Sequence, residues 1–212
     1  MFDGVLFDLD GTLWDATPAI SLSWNRVLSR HPEVSRAPIT VPEVRSTMGM
    51  LLPDIARKLF PGQPEEVRAI LSAEHNGEMH RLLSAEGGTL YPKLAETLEV
   101  LSRAARLFLV SNCGDGYLAA FYAAHGLKPY FTGDLTAGRT GRPKAENIAQ
   151  VVRDYGLARP VYVGDTALDY QSARQAGVPF LHAAYGFGQV EGVPAAARFE
   201  DIPAALAAMS PP

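Results

Sequence analysis

The sequence predicts an α/β fold, a Rossmann-like parallel sheet flanked by helices, with an inserted all-helical domain after its first strand. Four short apolar runs, at residues 5–9, 107–110, 161–163 and 179–181, are not broken by polar alternation, which is typical of strands buried on both faces. Amphipathic helical patterns separate the later runs, and such alternation favours a parallel sheet covered by helices.

The inserted domain is predicted between the first strand and the second. We expect a helix capped by Thr17-Pro18, a short helix over 53–60, and a longer one opened by Pro64 and two glutamates. The stretch shows no strand pattern, and Gly87-Gly88 gives it a flexible exit. We therefore predict a core formed by residues 1–16 and 88–212 and a helical cap formed by residues 17–87, able to move as a lid.

The remaining helices are predicted from their ends. One is expected to start at Tyr91-Pro92, and the others to cover about 116–126, 145–155 and 168–176. The last three end at or just before a glycine, and proline at the start with glycine past the end is the usual arrangement.

The composition indicates an ordinary soluble globular protein. The chain has 212 residues, of which 47% are hydrophobic and 20% charged, with a net charge of −4. Lysine and arginine are scattered, which argues against nucleic acid or a membrane surface as a partner. No apolar run approaches the roughly 20 residues of a membrane helix. A strand pattern begins at once, leaving no room for a signal peptide, and the single cysteine, Cys113, suits the cytoplasm.

Polar residues follow the predicted strands. Ligands of open parallel sheets bind beyond the carboxyl ends of the strands, so these residues are expected to share one edge. They are Asp8 and Asp10 after the first strand, Ser111 and Asn112 after the second, Asp165 and Asp169 after the third, and Lys144 before a helix. Carboxylates brought together repel, and Mg²⁺ with its preference for oxygen ligands would relieve this. With a lysine and a hydroxyl nearby, the set indicates a phosphate site.

Together these stretches resemble the four motifs of the haloacid dehalogenase-like hydrolase superfamily. The motifs are DLDGT at 8–12, the strand ending in Ser111-Asn112, Lys144, and GDTALD at 164–169. The helical insertion directly after the first motif is similar to the small helical cap of that family. The VSNCGDGY and HAAYGFG stretches place the nearest resemblance in the phosphoglycolate phosphatase-like branch.

The resemblance implies a two-step phosphatase. Asp8 would attack phosphorus and carry an aspartyl-phosphate, and Asp10 would protonate the leaving alcohol and later take a proton from water. Ser111 and Asn112 would hold the phosphoryl oxygens, and Lys144 would neutralise charge and restrain Asp8. Mg²⁺ would be held by Asp8, the Asp10 carbonyl and Asp165, with Asp169 acting through water or on Lys144.

Other reactions on the same fold fit the sequence less well than hydrolysis. Dehalogenation is disfavoured because a halide leaves without the acid that Asp10 supplies. A phosphomutase usually places histidine and basic residues at the start of the cap, where this chain has WDATPAISLSW. A non-catalytic phosphate-binding regulatory module would need neither the nucleophile nor the acid.

The expected partner is thus a small phosphorylated metabolite, with phosphoglycolate as a candidate and Arg45 available for a substrate carboxylate. The chain is expected to be a monomer or a homodimer.

Overall fold

A computed structural model describes residues 2–209 of the chain. Its main sheet has six parallel strands in the order β5-β4-β1-β6-β7-β8. These strands are β1 (Gly4–Phe7), β4 (Arg106–Ser111), β5 (Gly133–Thr136), β6 (Pro160–Gly164), β7 (Phe180–Ala183) and β8 (Ala195–Ala196). The α/β class and the four strands predicted from apolar runs are confirmed. The other two were not predicted because β5 is a half-buried Gly-Asp-Leu-Thr segment and β8 has only two residues.

The first strand lies in the middle of the sheet. Leu6 pairs with Phe108 of β4 on one side and with Tyr162 of β6 on the other. Val5 and Phe7 pack into one apolar layer, whereas Leu6 packs into the layer on the opposite face. Both faces are therefore covered, and the carboxyl ends of β1, β4 and β6 open at one edge.

Helices cover both faces of this sheet. They are α5 (Leu94–Ala104), α6 (Tyr117–His125), α7 (Ala137–Thr140), α8 (Lys144–Asp154), α9 (Ala167–Gln175) and α10 (Ile202–Ala208). Four of them overlap the helical segments expected from the sequence. The helix expected at Tyr91-Pro92 begins slightly later, at Leu94, after Lys93 in a left-handed conformation.

Four further helices lie between β1 and β4 in the chain, and we call them the inserted helices. They are α1 (Thr17–Leu28), α2 (Val41–Arg45), α3 (Leu52–Leu59) and α4 (Glu65–Glu86). The chain enters and leaves them through a short antiparallel ribbon of β2 (Trp14–Asp15) and β3 (Thr89–Leu90). None of the helices described between residues 2 and 209 combines the length and apolarity needed to cross a bilayer.

Local hydrogen bonds explain where two inserted helices begin. Thr17 was expected to cap α1, but it is the first helical residue, and its backbone N–H donates to Asp15 Oδ1 at 2.9 Å. The unpredicted helix α2 begins with a capping box, in which Thr40 and Glu43 bond each other's backbone N–H. The Thr-x-x-Glu spacing was a visible signal for this helix.

Candidate active site

Three buried carboxylates meet at the carboxyl edge of the sheet. Asp8 directly follows β1, Asp165 directly follows β6, and Asp169 lies in the first turn of α9. Each offers an oxygen within 4.8 Å of the others, and each side chain is almost fully buried. Mutual repulsion at this distance disfavours three ionised groups unless a cation lies among them.

Lys144, the first residue of α8, supplies one positive charge to this cluster. Its Nζ lies 2.9 Å from Asp8 Oδ1 and 2.5 Å from Asp169 Oδ1, and the side chain is buried above the Tyr162 ring. Burial opposes the ammonium charge, but Asp169 and Asp8 outweigh it and hold the pKa of Lys144 well above its usual range. One ammonium thus faces three carboxylates.

Lys144 neutralises only part of the negative charge of the three carboxylates, as the pKa values of Asp8 and Asp165 show. Burial raises the pKa of Asp8 even though Lys144 opposes the shift, and burial together with Asp169 and Asp8 raises the pKa of Asp165. Asp8 Oδ1 is buried with Lys144 Nζ 2.9 Å away as its ion-pair neighbour, and no further partner for this oxygen lies among residues 2–209. A hard divalent cation with oxygen ligands, such as Mg²⁺, fits this unbalanced set.

Backbone groups fix the orientation of Asp165. Its Oδ2 accepts a hydrogen bond from Phe187 N at 2.8 Å. A Cβ added to Gly11 would lie 2.2 Å from Asp165 Oδ2, and one added to Gly186 would lie 2.3 Å from Asp165 Cβ. Both positions therefore need glycine, and Gly11 also has a φ of +81° that glycine adopts readily.

Asp169 is held by partners on both carboxylate oxygens. Oδ1 binds Lys144, while Oδ2 accepts from the Thr166 backbone N–H at 2.9 Å and from the Thr166 hydroxyl at 2.6 Å. The Thr166 contacts form a capping box at the start of α9. Asp169 therefore positions Lys144 beside Asp8, and Asp8 and Asp165 keep more capacity to bind a metal.

Asp10 has two partners that sequence reasoning missed. Its Oδ1 accepts hydrogen bonds from Trp14 Nε1 at 2.9 Å and from the Tyr117 hydroxyl at 2.8 Å. Burial raises the pKa of Asp10 to about 7, although the Tyr117 hydrogen bond opposes this. Trp14 is only four residues after Asp10 in the sequence. Tyr117 is 107 positions away, and no local pattern linked it to Asp10.

Ser111, the last residue of β4, and Asn112, which follows it, line a cavity shared with Asp8 and Asp10. The opposite wall of this cavity comes from the inserted helices and from the loop at residues 47–52. Asn112 Nδ2 donates to the Gly49 carbonyl of that loop at 2.8 Å, which joins the two walls. Cys113 also lines the cavity, and burial raises the pKa of its thiol far above the usual range, so the thiol stays protonated.

Arg45 lies apart from the other residues expected in the site. Its Nη2 forms an ion pair with Asp15 Oδ2 at 2.7 Å, its Cζ lies 5.5 Å from the Phe187 ring centroid, and 48% of its side chain is exposed. Among residues 2–209, the side chains that line the cavity do not include Arg45. The structure therefore brings together seven of the eight expected residues: Asp8, Asp10, Ser111, Asn112, Lys144, Asp165 and Asp169.

Comparisons with known proteins agree with this fold. The family model described as haloacid dehalogenase-like hydrolase matches residues 5–183. A phosphoglycolate phosphatase of Rhodobacter capsulatus is 32% identical over 215 residues, covering 96% of this chain and 95% of the relative. A plasmid-encoded phosphoglycolate phosphatase of Cupriavidus necator is 29% identical, covering 86% of this chain and 81% of its own length.

Solved structures share the architecture at low sequence identity, so this similarity supports the fold and nothing beyond it. A structure from Haemophilus somnus described as a predicted phosphoglycolate phosphatase has a TM-score of 0.85 at 21% identity, covering 97% of this chain and 98% of its own. CbbY from Rhodobacter sphaeroides in complex with phosphate has a TM-score of 0.81 at 16% identity, covering 98% and 100%. The resemblance predicted from the four motifs is confirmed, and the chain belongs to the haloacid dehalogenase-like hydrolase family.

Proposed function

We propose that the protein is a Mg²⁺-dependent phosphomonoester hydrolase that acts on a small phosphorylated metabolite through an aspartyl-phosphate on Asp8. The observation that carries this proposal is the shared cavity of Asp8 and Asp10, in which Asp8 is ion-paired to Lys144 and Asp10 is not. Two neighbouring carboxyl groups with different surroundings suit two different chemical roles. The phosphatase activity of the named relatives supports the same class of reaction.

In the first step, a carboxylate oxygen of Asp8 attacks phosphorus and the bond from phosphorus to the alcohol oxygen breaks. The alcohol oxygen takes a proton from Asp10 as it leaves. Asp10 suits this role because burial favours its protonated form and because Trp14 and Tyr117 both bind Oδ1. The proton of Asp10 is then carried by its other carboxyl oxygen, Oδ2.

In the second step, a water molecule attacks phosphorus and the bond from phosphorus to the Asp8 oxygen breaks. The water gives a proton to Asp10, which returns to its starting state as inorganic phosphate leaves. Asp8 recovers its carboxylate beside Lys144. The proton count is balanced over the cycle, since Asp10 donates one proton and regains one.

The other residues of the site stabilise charge on the transferring group. We propose that Ser111 and Asn112 bind phosphoryl oxygens and that Lys144 offsets the charge near Asp8. Asp8, the Asp10 carbonyl and Asp165 would hold Mg²⁺, with Asp169 acting through water or through Lys144. The bound cation would supply electrostatic stabilisation of the phosphoryl oxygens and let the buried carboxylates ionise together.

We further propose that residues 17–87 form a cap over a core made of residues 1–16 and 88–212. The hydrogen bond from Asn112 to Gly49 supports this, because it joins the end of β4 to the loop at 47–52. The cap would exclude water during the first step and open to release products.

The proposal is tested by hydrolysis of 4-nitrophenyl phosphate with and without Mg²⁺. We expect turnover that needs Mg²⁺ and falls by about a thousandfold or more in Asp8→Asn, because the nucleophile is removed. Asp3→Asn is the matched control, since Asp3 caps backbone N–H groups at the opposite end of the sheet. Turnover by Asp8→Asn at the wild-type rate would exclude Asp8 as the nucleophile.

A further inference from the structure

The cavity wall contributed by the inserted helices is mainly apolar. It includes Ile20 and Trp24 of α1, Met50, Leu52 and Ile55 around the start of α3, and Met79 of α4. This wall faces Asp8 and Asp10, so it surrounds the place where the alcohol part of a phosphate ester would lie. Apolar side chains there favour an alcohol that can bury carbon atoms.

The same wall lacks a counter-charge for an anionic alcohol. Among residues 2–209, no lysine or arginine lines the cavity, and the carboxyl groups that line it are those of Asp8 and Asp10. Arg45 is bound to Asp15 outside the cavity, and Lys144 lies beneath Asp8 between two carboxylates. A substrate carboxylate would thus lose its hydration beside acidic groups, which is unfavourable.

The histidine in this wall does not change that conclusion. The ring of His75 stacks on Trp24 with centroids 3.7 Å apart and planes only 6° from parallel. Burial lowers the pKa of His75 to about 3, so the imidazole is neutral near pH 7. His75 therefore adds a neutral polar group to the cavity, and it does not act as a cation.

Three buried polar atoms in the wall lack a partner among the described residues. They are the Asn76 side-chain oxygen and His75 Nε2, on adjacent residues of α4, and Trp24 Nε1 on α1. Unpaired buried polar atoms are unfavourable, and a substrate hydroxyl or N–H that bonds one of them would remove that cost. A hydroxyl can donate to the Asn76 oxygen or accept from the Trp24 indole N–H. The wall is therefore suited to an alcohol that is apolar in most of its surface and has one such neutral group.

We propose that the preferred substrate is the monophosphate of an uncharged, largely apolar alcohol with a hydrogen-bond donor, and that glycolate is disfavoured as the leaving group. This inference rests on the proposed hydrolase function and adds the class of alcohol. It differs from the expectation that Arg45 binds a substrate carboxylate. The apolar wall, the absence of a cation from it among residues 2–209 and its three unpartnered polar atoms together support it.

The test compares phosphoglycolate with its amide, 2-amino-2-oxoethyl phosphate, which has nearly the same size but no carboxylate. With Mg²⁺, we expect kcat/KM for the amide to exceed that for phosphoglycolate by about tenfold or more, because only the acid must bury a charge. An equal or higher value for phosphoglycolate would overturn the inference. Inactivity on both esters and on 4-nitrophenyl phosphate would instead overturn the proposed function, and this inference with it.

A second, independent test introduces a positive charge into the wall. Ile55→Arg places a cation in the cavity, and it should shift the ratio of kcat/KM values toward phosphoglycolate by about tenfold. Ile70→Arg is the matched control because Ile70 lies on α4 with 53% of its surface exposed. The same small shift in both variants would argue against a cavity that selects by charge. If Ile55→Arg fails to fold, the wild-type comparison still decides the question.

Discussion

The Tyr117 hydroxyl lies 2.8 Å from Asp10 Oδ1 and joins helix α6 to the residue proposed as the general acid. Trp14 donates to the same oxygen, and the two rings meet edge to face with centroids 5.7 Å apart. This arrangement leaves Asp10 Oδ2 as the oxygen that can carry the proton for the leaving alcohol. Tyr117 is thus a positioning residue that acts through Asp10.

Tyr117→Phe should lower kcat for an alkyl phosphate by about 10- to 100-fold, since it removes one hydrogen bond to the acid. The loss should be smaller for 4-nitrophenyl phosphate, whose leaving group departs with less need of a proton. Steady-state kinetics on both esters check this. Tyr122→Phe is the matched control in the same helix, because its hydroxyl binds Asp134 instead. Equal losses on both esters would assign Tyr117 a packing role only.

Lys144→Met should lower the free energy of unfolding by about 3–5 kcal/mol, because it leaves Asp8 and Asp169 buried without their counter-charge. Lys128→Met should cost at most about 1 kcal/mol, because Lys128 is half exposed where it pairs with Asp134. Urea unfolding at pH 7.5 measures both. Similar losses in the two variants would show that the buried ion-pair network contributes no more than a surface pair.

Magnesium should raise the melting temperature of the wild-type protein. At a concentration about 100 times its Kd, a ligand that binds only the folded state adds about 2.7 kcal/mol. Asp165→Asn should lose most of this rise, since Asp165 is one of the three clustered carboxylates. Asp134→Asn should keep the rise even if its own melting temperature is lower, because Asp134 pairs with Lys128 and Arg139. An unchanged rise in Asp165→Asn would remove Asp165 from the metal site.

His75 should make the protein less stable in mild acid. Its pKa is lowered to about 3 in the folded state, so from pH 6.5 downward the unfolded chain binds a proton that the folded chain does not. The free energy of unfolding therefore decreases as the pH is lowered. From this residue alone, the decrease between pH 7.5 and pH 5.0 is about 2 kcal/mol. His75→Gln should reduce the pH dependence of the melting temperature by a matching amount.

His31 provides a control of opposite sign. Glu33 and Glu74 raise its pKa, so its contribution to stability is present at low pH and is lost as pH rises through the folded-state pKa. His31→Gln should therefore make the acid destabilisation steeper. A parallel change in the two glutamine variants would contradict the assignment of a neutral, buried His75.

The sequence predicted the sheet and most of the site because both depend on short local signals. Asp8 lies near the end of the first apolar run and Asp165 two positions after the third, so the strand pattern alone placed them at one edge. The hydrogen bond from Tyr117 to Asp10 spans 107 positions and depends on how α6 packs against the sheet, which no local pattern encodes. Arg45 could be recognised as a cation near the site, but its pairing with Asp15 depended on the path of the inserted helices.

Rapid acid quench would capture the phosphoryl group that Asp8 is proposed to carry. The protein is mixed with 4-nitrophenyl phosphate and Mg²⁺ and quenched, and the peptide that contains Asp8 is analysed by mass spectrometry. Asp10→Asn, which should slow hydrolysis of the intermediate, is used beside the wild type. We predict a phosphoryl group on Asp8 that hydroxylamine removes and that is absent from Asp8→Asn. Turnover by the wild type with no phosphoryl group on Asp8 in either protein would exclude an aspartyl-phosphate on Asp8.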